Sequence, residues 1–205
     1  MSLQFNQITI KAKEFYKIKQ LTDLMNINVD KIVVSNSFYC NKGKDMKFII
    51  GYQTKDAAIV PLLIKTPKYI FSPQGVTQYN ENSTYCMGFD LEGYTDWINQ
   101  YRLIWKAVEE QMSQSLTKES VNKERYINPK LNIYDGEIKT IFHNKHIPEN
   151  QRCEATAILK IASVYKQGNN YYPQVFVEEC KYKSIESPSH RLLSSDSEDE
   201  GFVLC

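Results

Sequence analysis

The stretch EATAILKIASVYKQGNNYYPQVFVEECKYK, residues Glu154–Lys183, decides the fold. Two runs rich in β-branched and aromatic residues flank Gln167-Gly168-Asn169-Asn170, where Gly and Asn take the positive φ angles that tight hairpin turns require. A long β-hairpin follows. In its first arm a period of two puts Ala155, Ala157, Leu159, Ile161 and Tyr165 on one face, with Ser163 as the one polar member. The other face then carries Thr156, Lys160 and Lys166 together with Ile158 and Val164. One face is core, and the other is mixed enough to meet a ligand. Pro173 lacks a backbone N–H, which predicts an edge, a bulge or a late strand start in the second arm.

Upstream, SLQFNQITI and KIVVSNSFY have the composition of early strands, and Asn41-Lys42-Gly43-Lys44-Asp45 makes a turn into the strand MKFIIGYQ, which stops at Thr54-Lys55-Asp56. Pro61, Pro67 and Pro73 keep AAIVPLLIKTPKYIFSPQGVTQY out of a helix and allow short strands joined by bends. STYCMGFDL alternates, with Tyr85, Met87 and Phe89 on one face. Between Gly93 and Leu116 the period changes. Trp97, Tyr101, Ile104, Trp105, Val108 and Met112 recur at spacings of three and four, one face of an amphipathic helix that Thr95 or Asp96 would cap. Asp135-Gly136 then turns a short hairpin. Strands, one long helix and further strands predict a mainly β, α+β domain over residues 1–186. The order is that of an oligonucleotide-binding-fold (OB-fold-like) barrel, whose helix commonly falls between its third and fourth strands. Residues 187–205 hold Ser, Pro and acids, which predicts a disordered acidic tail with an apolar end, Phe202-Val203-Leu204-Cys205.

The chain carries 25 Lys and Arg against 24 Asp and Glu, a formal charge of +1. That balance hides an asymmetry. Asp196, Glu198, Asp199 and Glu200 crowd into the tail, and without them the body holds 25 bases against 20 acids. A basic body with an acidic tail points to a polyanion partner and a tail able to mimic it. The five cysteines are odd in number and scattered, with no C-x-x-C pair, as expected of an intracellular, reducing compartment. No apolar run approaches the roughly 18 to 20 residues of a membrane span.

Basic and aromatic residues interleave in two places. Lys65, Lys68, Tyr69 and Phe71 lie in the proline-punctuated segment, and Lys160, Tyr165, Lys166, Tyr171 and Tyr172 lie around the hairpin tip. A binder of single-stranded nucleic acid needs this pairing, because cations track the phosphates and flat rings stack on bases, at about 1–3 kcal/mol per base whatever the sequence. Catalytic readings find no support: no Walker A loop, G-x-S-x-G or H-E-x-x-H is present, so no enzymatic activity and no cofactor are expected. His143 and His146 with Cys153 and Cys180 match no zinc ribbon or finger, so no metal site is expected.

Three segments in order, VPLLIKTPKYIFSPQGVTQY, INPKLNIYD and ATAILKIASVYKQGNNYYPQVFVEECKY, resemble the single-stranded-DNA-binding proteins of nucleocytoplasmic large DNA viruses. That group is related to phage-type single-stranded-DNA-binding proteins with an acidic C-terminal tail. The resemblance runs from Ile59 to the end of the hairpin, and the K-T-P segment followed by a P-x-G-V turn is its most distinctive part. It implies cooperative binding of single strands in DNA replication, recombination or repair, self-association, and residence in a host cytoplasm or nucleus. It also implies a tail that recruits a polymerase or helicase, through Asp196, Glu198, Asp199, Glu200 and Phe202. The alternative from another class is a virus-encoded structural or protein-interaction protein that keeps the barrel and has no DNA affinity.

Overall fold

The computed structural model describes residues 24, 27–40, 44–79, 84–117, 121–144 and 146–185. The predicted first strand in SLQFNQITI and the acidic tail lie outside the described residues. The early strands are β1 (Ile32–Val34), β2 (Phe38–Cys40), β3 (Asp45–Gln53), β4 (Ile59–Lys65), β5 (Ile70–Ser72), β6 (Val76–Tyr79), β7 (Thr84–Met87) and β8 (Phe89–Asp90). The helix α1 (Thr95–Met112) separates them from β9 (Tyr126–Ile127), β10 (Lys130–Leu131), β11 (Ile133–Tyr134), β12 (Glu137–Ile138) and β13 (Ile141–Phe142). Last come the two long strands β14 (Cys153–Gln167) and β15 (Asn170–Ser184). The described residues are mainly β with one long helix, as the patterning predicts. Among the described residues no helix is long and apolar enough to cross a membrane.

β14 organises the sheet. Along one edge it pairs antiparallel with β15 from Cys153↔Ser184 to Gln167↔Asn170, closed by a two-residue turn in which Gly168 has φ 58°. Its other edge is shared by three strands in succession: β5 opposite Cys153–Ala155, β4 opposite Ile158–Ile161, and β3 opposite Ser163–Lys166. Beyond β15 lie β10 and β13, both parallel to it, and the path continues through β7 to β6. The path β1-β3-β4-β14-β15-β10-β7-β6 ends at β1 and β6 and does not close into a barrel. Pro173 fits inside β15 because Tyr171 directs both its N–H and its C=O away from β14, to Thr117. Two residues on, Pro173 turns its nitrogen the same way and no ladder bond is lost.

The interval between β4 and β5 would leave the N–H and C=O of Ala157 on β14 unpaired. Thr66 fills it. Its N–H donates to the Ala157 carbonyl at 2.9 Å, and its Oγ1 accepts from the Ala157 N–H at 2.8 Å. The Tyr69 N–H in turn donates to Thr156 Oγ1 at 3.1 Å. Thr66 is buried, so its hydroxyl cannot be replaced by water, which accounts physically for a threonine between Lys65 and Pro67.

Two β-bulges set the faces of the hairpin. Glu178 is the extra residue on β15 and Ala162 the extra residue on β14, and each shifts the alternation by one. The core face therefore takes Ala155, Ala157, Leu159 and Ile161, then Val164 and Lys166. The strict period of two fails here: Ser163 and Tyr165 turn to the opposite face, and Ser163, although buried, donates to Gln174 Oε1 at 3.0 Å. The helix covers the core face with Trp97, Ile98, Tyr101, Ile104, Trp105 and Val108. Its start differs from expectation. Tyr94 occupies the N-cap with no side-chain cap bond, while Thr95 and Asp96 are the first helical residues.

Thr66→Val leaves the buried Ala157 N–H without a partner and lowers stability in urea unfolding by about 1–3 kcal/mol, whereas Thr66→Ser keeps the hydroxyl and loses less.

Candidate nucleic-acid interface

Residues directly opposite one another on neighbouring strands share a face of the sheet, so the register identifies what lies on the side away from the helix. Near the hairpin tip the cross-strand row on this open face is Phe38, Lys47, Tyr165 and Tyr172. Across the middle it is Leu63, Lys160, Phe176, Lys130, Cys86 and Thr77, spanning six strands. Toward the base come Lys65, Ile158, Glu179 and Ile141, and then Asp90, Phe71, Glu154 and Lys183. Two sequence clusters that are far apart in the chain thus meet on one surface, because β4, β5 and the hairpin tip all border the same strand. Cations and rings interleave along it.

Of the residues singled out in the sequence, Lys65, Phe71, Lys160, Tyr165 and Tyr172 lie on the open face. Tyr69 stands beside them, 49% exposed, with Lys183 Nζ 4.5 Å from its ring centroid. Lys68 is exposed in the turn before β5, and its carbonyl accepts from the Tyr94 hydroxyl at 3.4 Å. The Lys65 carbonyl accepts from Trp97 Nε1 at 3.0 Å, so the start of the helix braces this turn. Tyr69 needs the bracing, since its φ of 58° is a left-handed conformation that costs a tyrosine on the order of 1–3 kcal/mol. Lys166 and Tyr171 go elsewhere. The Ala162 bulge sends Lys166 to the core side, and the alternation of β15 puts Tyr171 there with Val175 and Val177; Tyr171 is buried against Phe48, and Lys166 Nζ lies 5.3 Å from the Tyr171 ring centroid. Tyr171 is a packing residue and offers no free ring face to a base.

Sequence reasoning passed over Lys47, Lys130, Phe176, Lys181, Lys183 and Arg152. Alternation within the second arm carries a signal for Tyr172, Gln174 and Phe176, but the Glu178 bulge breaks the period before Lys181 and Lys183. Lys47 and Lys130 become neighbours only through pairing. Arg152 lies over Phe71, its Cζ 5.4 Å from the ring centroid. The face also holds acids. Glu178 pairs with Lys160 at 3.8 Å, Glu179 with His143 at 3.1 Å, and the Tyr165 hydroxyl donates to the Asp45 carboxylate. Burial pushes the Cys86 thiol above its ordinary pKa, and the neighbouring Lys130 charge pulls it partway back. Cys153 and Cys180 are buried in the core, with their thiols pushed up to about 11 and about 12 by burial.

No family model matches this chain, and no curated protein matches it. Interleaved lysines and flat rings on an open sheet can hold an extended polyanion whose units carry aromatic groups.

Tyr171→Ala removes core packing and lowers the urea midpoint, by about 3 kcal/mol in unfolding free energy, while Tyr172→Ala on the open face changes it by less than about 1 kcal/mol. Parallel urea titrations of the two variants check this.

Proposed function

We propose that the protein binds single-stranded DNA without strong sequence preference and performs no chemistry on it. The observation that carries this reading is the sharing of one open sheet face by the Lys65–Phe71 cluster and by Lys160, Tyr165 and Tyr172. Lysines on such a face neutralise phosphates, and bases leave one another to stack on Tyr69, Phe71, Tyr165 and Tyr172. A duplex would not fit this chemistry, because its bases are already stacked and paired. The resemblance to the viral single-stranded-DNA-binding proteins supports the same reading and adds a setting, replication, recombination or repair.

The fold we infer at this finer level is an open relative of the oligonucleotide-binding barrel, with the helix inserted between the early strands and the final hairpin. In this reading the acidic tail, Asp196 to Glu200 with Phe202 beyond it, competes with DNA for the lysines. Carboxylates on a tether act at high local concentration and need no great affinity to do so. When DNA displaces it, the tail becomes available to a polymerase or helicase.

Titration of a fluorescent oligothymidine into the full chain and into a chain ending at Ser195 tests both parts. Affinity falls steeply as salt rises, with log K against log salt sloping by about −0.7 for each phosphate neutralised. Loss of the tail tightens binding at low salt. If neither protein binds at low salt while both are folded, the reading fails and a protein-interaction role replaces it.

A further inference from the structure

The open face is not uniform from end to end. At the tip, Tyr171 is buried, Lys166 lies over its ring on the core side, and the Tyr165 hydroxyl is held by Asp45. In the middle, Lys160 is paired with Glu178 and His143 with Glu179, while Lys130 there and Lys47 at the tip are half-buried. The base differs. Lys65, Lys68, Arg152, Lys181 and Lys183 are all exposed there, and none of them forms an ion pair among the described residues. Two acids lie among them: Glu154, half-buried and directly opposite both Phe71 and Lys183, and Asp90, buried opposite Phe71 and already paired with Arg125 at 2.9 Å.

Two rings accompany these cations, and each already has a cation beside it: Lys183 at Tyr69 and Arg152 at Phe71. Tyr69 and Phe71 are two residues apart, a separation of about 6.6 Å along an extended chain. That is roughly twice the 3.4 Å rise per nucleotide of a stacked strand. Bases on the two rings would therefore be separated from each other, with a cation within reach of each attached phosphate.

We propose that the base of the hairpin is a two-nucleotide anchor for extended single-stranded DNA, in which Tyr69 with Lys183 and Phe71 with Arg152 each take one base and its phosphate. This rests on the reading of the open face as a single-strand interface. It assigns the primary contact to Arg152 and Lys183, and it makes the tip, with Tyr165 and Tyr172, an accessory surface.

The test compares Arg152→Ala, Lys183→Ala and Tyr69→Ala with Tyr172→Ala in the full chain, using fluorescent oligothymidine at several salt concentrations. All four side chains are at least partly exposed, and urea midpoints verify that each variant is folded. The anchor predicts that Tyr69→Ala weakens binding at least about fivefold. Arg152→Ala and Lys183→Ala each weaken binding and flatten the salt slope by about 0.7, one phosphate contact apiece. Tyr172→Ala stays within about twofold, on the scale of a peripheral contact. If the three base variants bind as the parent does while Tyr172→Ala loses affinity, the anchor is at the tip and the proposal is overturned, with single-strand binding intact. If the folded parent itself fails to bind at low salt, the proposal falls together with the reading beneath it.

Discussion

The structure depends on β14 being satisfied along both edges over its whole length. One edge needs only β15, its hairpin partner. The other is assembled from β5, β4 and β3, three strands that arrive from different parts of the chain and leave an interval between the first two. An unpaired N–H at Ala157, buried beneath the helix side of the sheet, would cost the full desolvation of the group. Thr66 supplies the missing donor and acceptor from one residue, and the Thr156 hydroxyl on β14 in turn accepts the Tyr69 N–H. In the turn that follows, Tyr69 is left-handed at φ 58° with its N–H on Thr156 Oγ1, and its ring stands at the edge of the open face. A demand of backbone hydrogen bonding thus leads directly to the geometry of the candidate site.

Electrostatics divides that site. The bulge residue Glu178 and its neighbour Glu179 stand in the middle of the face, where they engage Lys160 and His143. Cations beyond their reach remain available at the base, where the chain reverses into β5 and where β14 begins. The bulges act on packing as well. The Ala162 bulge moves Val164 inward and Tyr165 outward, beside Tyr172, while the alternation of β15 buries Tyr171.

Much of the architecture is legible in the sequence. The Gln167–Asn170 turn, the Asp135-Gly136 turn and the proline-broken strands follow from local chemistry, and the helix follows from the three-and-four spacing of Trp97 through Val108. The faces of the hairpin are legible only as far as Ile161. A bulge is a property of two strands, and nothing in ASVYKQ alone says that Ala162 will be left over. Hence a strict period of two puts Tyr165 inside and Lys166 outside, and the structure has them reversed, which leaves Tyr165 where a binding ring was expected; Tyr171, also picked out as a stacking ring, is inside by the alternation of its own strand. Lys47, Lys130 and Arg152 are illegible for a related reason, since each joins the face through pairing with a distant segment. The helix cap fails on a smaller point: Tyr94 takes the place without a side-chain cap bond, and its hydroxyl reaches the Lys68 carbonyl instead.

The central claim is that single-stranded DNA lies on the sheet face opposite the helix. Photo-crosslinking of the full chain to oligothymidine at low salt, followed by mapping of the modified peptides, tests it most directly. The account predicts adducts on the peptides that carry Tyr69 and Phe71, with weaker adducts at Tyr165 and Tyr172. Adducts confined to the exposed side of the helix around Arg102 and Lys106, or none with oligonucleotide in excess, would contradict it.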